Sequence, residues 1–231
     1  MQPYQEKQRE LFDSLEEGFR KNEIQTTIVE SVDDFANDNR MSLTAVGFLS
    51  KELQETIQSK IITPLREADS RQYFFEPDAL HLTIQNVRTS HTPALFNDTD
   101  IKKAQNVFRQ ILPRSPRQSF MLRGLFELPT SVSIRGYIGA DYGTLVRSLR
   151  QSLSEASVPD NKVYASDDVV FGNVTVCRFT TEPNKAFRIV ASQLKEMEIG
   201  IFDIHSVSLI TTNTVCLPQK TRVIEEFILQ K

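Results

Sequence analysis

Leu11, Phe12, Leu15 and Phe19 recur at the spacing of one helix face among Glu, Lys and Arg, which predicts an amphipathic helix near the start of the chain. A polar, acidic stretch follows, from Asp33-Asp34 to Asn37-Asp38-Asn39. We read residues 1–41 as a helical extension that packs on a main domain of residues 42–231. From Leu43 the pattern changes to short apolar runs of strand type at 43–49, 80–87, 120–128, 131–138, 173–179, 201–210 and 222–229. Helical patterns alternate with them at 51–68, 101–112, 142–156 and 184–197. Ser50 has the place of an N-cap for the first of these helices, Pro64 is expected to bend it or end it early, and Pro113 to stop the second. Pro129-Thr130 falls between two β runs and predicts a hairpin. Neighbouring β runs mixed with helices favour antiparallel sheets, hence an α+β class, over a doubly wound parallel sheet.

Two of the strands share a form, polar–apolar–Thr–apolar: His81-Leu82-Thr83-Ile84 and Asn173-Val174-Thr175-Val176. Residues i and i+2 of a strand point to one face, so His81 projects with Thr83, and Asn173 with Thr175, while the apolar residues turn inward. A nitrogen-bearing side chain beside a hydroxyl suits the oxygens of a phosphate. A lone strand histidine is more often structural, and threonine alone is simply a good β-former.

The two segments resemble the paired strand motifs of the two-histidine phosphoesterase superfamily, which includes RNA 2′,3′-cyclic phosphodiesterases and 2′-5′ RNA ligase-like proteins. The run from Tyr73-Phe74-Phe75 through Leu80-His81-Leu82-Thr83-Ile84 is similar to the first motif region. Phe171-Gly172-Asn173-Val174-Thr175-Val176-Cys177-Arg178-Phe179 is similar to the second, and Phe202-Asp203-Ile204-His205-Ser206 to the penultimate strand. The resemblance implies two pseudo-symmetric lobes of antiparallel sheet with outer helices around a central cleft. It also implies a metal-independent action, without a cofactor, on a 2′,3′-cyclic phosphate or 2′-5′ linkage of RNA or a nucleotide. His81, Thr83, Asn173 and Thr175 take the catalytic places, and Arg178 that of a recurrent arginine. Tyr73, Phe75 and His205 are candidates for substrate contact, Tyr73 and Phe75 by stacking on a base. Asn173 stands where the family has its second histidine. An imidazole exchanges protons near neutral pH, whereas a carboxamide only donates or accepts hydrogen bonds. The alternative is therefore an inactive module of the same fold that binds an RNA end or a nucleotide.

Composition narrows the picture modestly. Hydrophobic residues at 39% and charged residues at 25% of 231 are those of a folded protein, and a formal net charge of −3 gives no overall pull toward polyanions. From Lys102 to Arg123 the chain carries Lys102, Lys103, Arg109, Arg114, Arg117 and Arg123 with no acidic residue. This is either a solvated face or a guide for a nucleic-acid strand. Cys177 and Cys216 match no metal or disulfide pattern and suit a reducing compartment. Cys177 shares the Asn173 face by alternation but is expected to be a buried, inert thiol, and His91 a solvated surface residue. No glycine-rich phosphate loop or metal-ligand cluster is evident, and neither is a signal segment or an apolar run of membrane-spanning length. The expectation is a cytoplasmic monomer.

Overall fold

The computed structural model describes residues 2–21, 23 and 26–231. The first helix, α1 (Pro3–Arg20), places Pro3 in its first turn, where a missing N–H costs nothing, and buries Phe12 and Leu15. After β1 (Met41–Phe48), Ser50 caps α2 (Lys51–Ile57) by accepting from the Leu53 N–H. Pro64 does not end this helix. A π-helical segment (Gln58–Ile62) precedes it, and the proline sits in the first turn of α3 (Thr63–Ala68), so its ring meets no regular α-turn behind it. Then come β2 (Tyr73–Phe74), β3 (His81–His91), α4 (Asp98–Ile111), the hairpin β4 (Gln118–Leu128) and β5 (Ser131–Tyr137), and α5 (Asp141–Glu155). The chain closes with β6 (Gly172–Arg178), α6 (Lys185–Gln193), β7 (Glu198–Ile204), β8 (Ser206–Asn213) and β9 (Arg222–Ile228).

The strands form two antiparallel sheets, one in the order β3-β1-β8-β9 and the other β2-β6-β5-β4-β7. The sequence reads 201–210 as one strand, but the run breaks at His205 and its halves join different sheets. No Gly or Pro marks the break, and the apolar pattern runs through it. Helices α4 and α5 pack on the four-stranded sheet, and α2 and the π-helical segment on the five-stranded one, with α3 against α6.

One continuous core fills the space between the layers, and a satellite cluster lies under α1. There the fully buried Phe12 ring meets Phe126 at 4.8 Å, Tyr137 at 5.5 Å and Phe171 at 4.5 Å. Gln8, also fully buried, donates to the Val170 carbonyl at 2.6 Å and accepts from the Ile138 N–H at 3.1 Å. Arg135, 2% exposed, pairs with Asp13 at 2.9 Å and Glu16 at 2.8 Å, so its charge is matched where it would otherwise be costly. α1 is thus stitched to the edge of the same cavity described next.

Candidate functional site

The strands carrying the two motifs, β3 and β6, come from different sheets and lie against one another. Gly172 permits the close approach. A Cβ there would stand 2.6 Å from Leu82 Cδ1 and 2.6 Å from Phe120 Cε1. Along β3, Leu82 and Ile84 are buried while His81 and Thr83 face a cavity of about 250 Å³; along β6, Val174 is buried while Asn173 and Thr175 face the same cavity. The four motif side chains are therefore brought together.

Strict alternation would then turn Arg178 away. The ladder with β5 instead steps from Val132↔Cys177 to Ser133↔Thr175, leaving Val176 as an extra residue in a bulge. Val176 and Cys177 are both fully buried, and Arg178 returns to the cavity face. Its Nε has no hydrogen-bond partner among the described residues, and burial lowers its pKa to about 10. Burial pushes the Cys177 thiol up, the setting of an unreactive cysteine.

The His81 ring is held from behind. Its Nδ1–H donates to the Ala79 carbonyl at 2.7 Å, since a carbonyl can only accept, which leaves Nε2 as the nitrogen that can exchange a proton. Burial works to lower the His81 pKa, but Cys216 and the Ala79 carbonyl outweigh it, and the net direction is upward. Cys216 sits in the β8–β9 turn at φ +51°, 2% exposed, with Thr221 Oγ1 donating to its sulfur at 3.7 Å. Burial would raise the thiol pKa; the charge of His81 brings it down. Sequence reasoning missed this partner, because nothing in the turn's composition links it to a strand in the first half of the chain.

A second residue was also missed. Ser133, on β5 behind Asn173, is fully buried. Asn173 Nδ2 donates to its Oγ at 3.3 Å, and that hydroxyl donates to Thr175 Oγ1 at 3.2 Å. The relay fills the acceptor side of Thr175 and leaves its O–H to donate into the cavity, beside the second N–H of Asn173.

The remaining candidates divide. Phe75 lines the cavity, its ring 6.5 Å from His81. Tyr73 does not; it packs edge-on to Phe75 at 6.0 Å and against Phe35 at 5.8 Å, and burial first, then Glu76 and Cys216, push its hydroxyl up to about 12. His205 is exposed at the junction of β7 and β8 and takes no part in the cavity wall, because the break in the apolar run carries it outside. His91 is exposed at the far end of β3. None of the basic residues between Lys102 and Arg123 lines the cavity. Arg109 pairs with Glu225 at 2.8 Å, and Arg123 lies near Glu196 and Glu198.

The cations that do face it are Arg150, Lys162 and Arg178, and the wall contains no Asp or Glu among the described residues. Arg150 was legible in principle: it follows Tyr142 and Val146 at helical spacing on α5, and all three line the cavity. Lys162 lies in the irregular segment before β6, where sequence gives no direction to a side chain.

Two antiparallel sheets, outer helices and motif strands apposed across a cleft make a two-lobed α+β fold that solved phosphoesterase structures share. Among solved structures, the chain is similar to a phosphoesterase at a TM-score of 0.60, with 14% identity over 84% of this chain and 100% of that one. It is similar to E. coli LigT, solved as a complex with ATP, at 0.59, with 14% identity over 84% and 100%. TT0787 of Thermus thermophilus follows at 0.57, with 16% identity over 81% and 97%. No family model matches the sequence, and no curated protein matches it. Among the described residues no helix is long and apolar enough to cross a membrane, and no three His, Cys, Asp or Glu side chains gather as a metal site would require.

Proposed function

We propose that the protein acts as a phosphodiesterase on a 2′,3′-cyclic phosphate or 2′-5′ linkage of RNA or a nucleotide, with His81 as its single proton-transfer group. The observation that carries this reading is one cavity holding His81, Thr83, Asn173 and Thr175 together with three cations and, among the described residues, no carboxylate. LigT has been solved with ATP and with 3′-AMP, both of them nucleotides. In the scheme, Thr83 and Thr175 donate to non-bridging phosphate oxygens, Asn173 orients the group, and Arg178 balances its charge. His81 Nε2 takes a proton from the attacking water as the new P–O bond forms. It returns that proton to the ribose oxygen whose bond to phosphorus breaks, so atoms and charge balance. No metal enters the scheme. One positioned acid or base is worth about 10²–10⁴ in rate, so a site with asparagine in place of the second histidine works slowly on a poor leaving group.

A second reading, a nucleotide-binding module without turnover, is favoured by the tie between the Asn173 amide and Ser133. The two separate in one series. Hydrolysis of 2′,3′-cyclic nucleotides and 2′-5′ oligonucleotides is measured for the wild type, His81→Ala and Asn173→His. Wild-type turnover that disappears in His81→Ala supports the enzyme. Binding alone, with turnover gained in Asn173→His, supports the module. Full activity in His81→Ala discards the scheme.

A further inference from the structure

The charge count of the cavity asks for more than one phosphodiester. Arg150, Lys162 and Arg178 all line it, and none of them forms an ion pair with a carboxylate among the described residues. The nearest acids form no ion pair with them. Asp160 accepts from Gln85 at 2.6 Å and from Tyr164, and Asp38 is held by Arg40 at 2.7 Å and by Thr214 at 2.5 Å. Arg150 lies 3.5 Å from the centre of the Tyr164 ring with its Nε unpartnered, and Lys162 Nζ lies 5.3 Å from the same ring. Burial lowers the Lys162 pKa; Asp160 opposes this, and the charges of Arg150 and Arg178 add to it. Unmatched cations held together in a protein wall are costly, and the cost is recovered when an anion enters.

A phosphodiester brings a single negative charge, and Arg178, which shares β6 with Asn173 and Thr175, suffices for it. Arg150 and Lys162 come from α5 and the segment after it, around Tyr164, and remain unmatched. We propose that Arg150 and Lys162, held over the Tyr164 ring, form a second anion subsite, so that the ligand is a nucleotide carrying a phosphomonoester in addition to the phosphodiester at His81. A phosphomonoester carries about −1.5 to −2 at neutral pH and can pair directly with Arg150 and Lys162, as Asp160 does not. The inference rests on the reading of the site under Proposed function and narrows its substrate class.

The test reads binding, so it stands whether or not the protein turns its ligand over. Calorimetry compares a nucleoside 2′,3′-cyclic phosphate with the same compound bearing a 5′-phosphate, on the wild type, Arg150→Met, Lys162→Met and His81→Ala. In the wild type the added phosphate tightens binding about 10–100-fold, the range of one charge-assisted contact. That ratio falls toward one in Arg150→Met and Lys162→Met and persists in His81→Ala. The ligand-free Lys162→Met protein also melts at or above the wild-type temperature, because a half-buried charge without an ion pair has been removed; a merely structural lysine would give the opposite. Equal wild-type affinity for the two ligands, or a ratio retained in both methionine variants, overturns the second subsite alone. Failure of both ligands to bind overturns it together with the nucleotide reading of the cavity.

Discussion

Gly172→Ala tests whether the approach of the two motif strands controls the site. The added Cβ would lie 2.6 Å from Leu82 Cδ1 and from Phe120 Cε1, whereas carbon atoms in contact sit at about 3.5–4.0 Å. Both neighbours are fully buried, so about 1 Å must come from strand separation or from rotamer changes in a filled core. Overpacking of this kind costs about 1–3 kcal/mol. For a chain of this length that lowers the melting temperature by about 2–12 °C. The functional cost is larger than the stability cost, because Leu82 lies between His81 and Thr83 and Gly172 precedes Asn173. A 1 Å misplacement of reacting groups can remove about 10²-fold of rate. Thermal denaturation and cyclic-nucleotide hydrolysis, or affinity if the protein only binds, measure the two effects. Leu82→Val deletes the clashing methyl, so the double variant should recover part of the loss, with a coupling of at least about 0.5 kcal/mol. A Gly172→Ala protein with wild-type melting and wild-type ligand response would refute the argument, since the strands would then not be in limiting contact.

The pH behaviour of two further groups has a definite sign. Asp69, its side chain 1% exposed, is held well below the usual carboxylate range, chiefly by Arg71 at 2.8 Å, with the Asn184 N–H and Gln72 adding to it. Its folded pKa is depressed, so the stability it contributes is present above the unfolded value near 3.9 and is lost as pH falls below that value. Asp69→Asn should cost about 1.5–3 kcal/mol at pH 7 and less in acid; a difference in denaturation midpoint that is constant from pH 7 to pH 2 would contradict this. For His81, burial opposes charge and Cys216 favours it, so Cys216→Ala should lower the imidazole pKa and move the His81-dependent limb of any pH–rate profile toward acid. His91 and His205 are exposed, which helps separate the three ring signals by NMR titration. An unchanged or raised His81 pKa would remove Cys216 from the site.

Much of the fold was written locally. The period-two runs gave most of the strands, Ser50 gave its cap, and Pro129-Thr130 gave the hairpin, because each depends on a few adjacent residues. The pair of motif faces was equally legible, since alternation alone turns His81 with Thr83 and Asn173 with Thr175. What failed depended on partners distant in sequence. The break at His205 is imposed by two sheets competing for one apolar run, and the bulge at Val176 by the register of β5. The densest basic stretch lies away from the cavity, with Arg109 beside Glu225 and Arg123 near Glu196 and Glu198. The cations that face the cavity are sparse in sequence and are assembled by tertiary packing alone.

Only His205 separates β7, an edge strand of one sheet, from β8, an inner strand of the other. The same corner is fastened twice more, by Leu229 N–H on the His205 carbonyl at 2.9 Å and by the exchange between Gln230 and the backbone of Ser115 and Arg117 at 2.8 and 3.2 Å. A joint this short acts like a clasp: the two halves can tilt about it but have no slack to glide past each other. The placement of one sheet on the other is therefore pinned at this corner by backbone alone, whatever the side chains between them do.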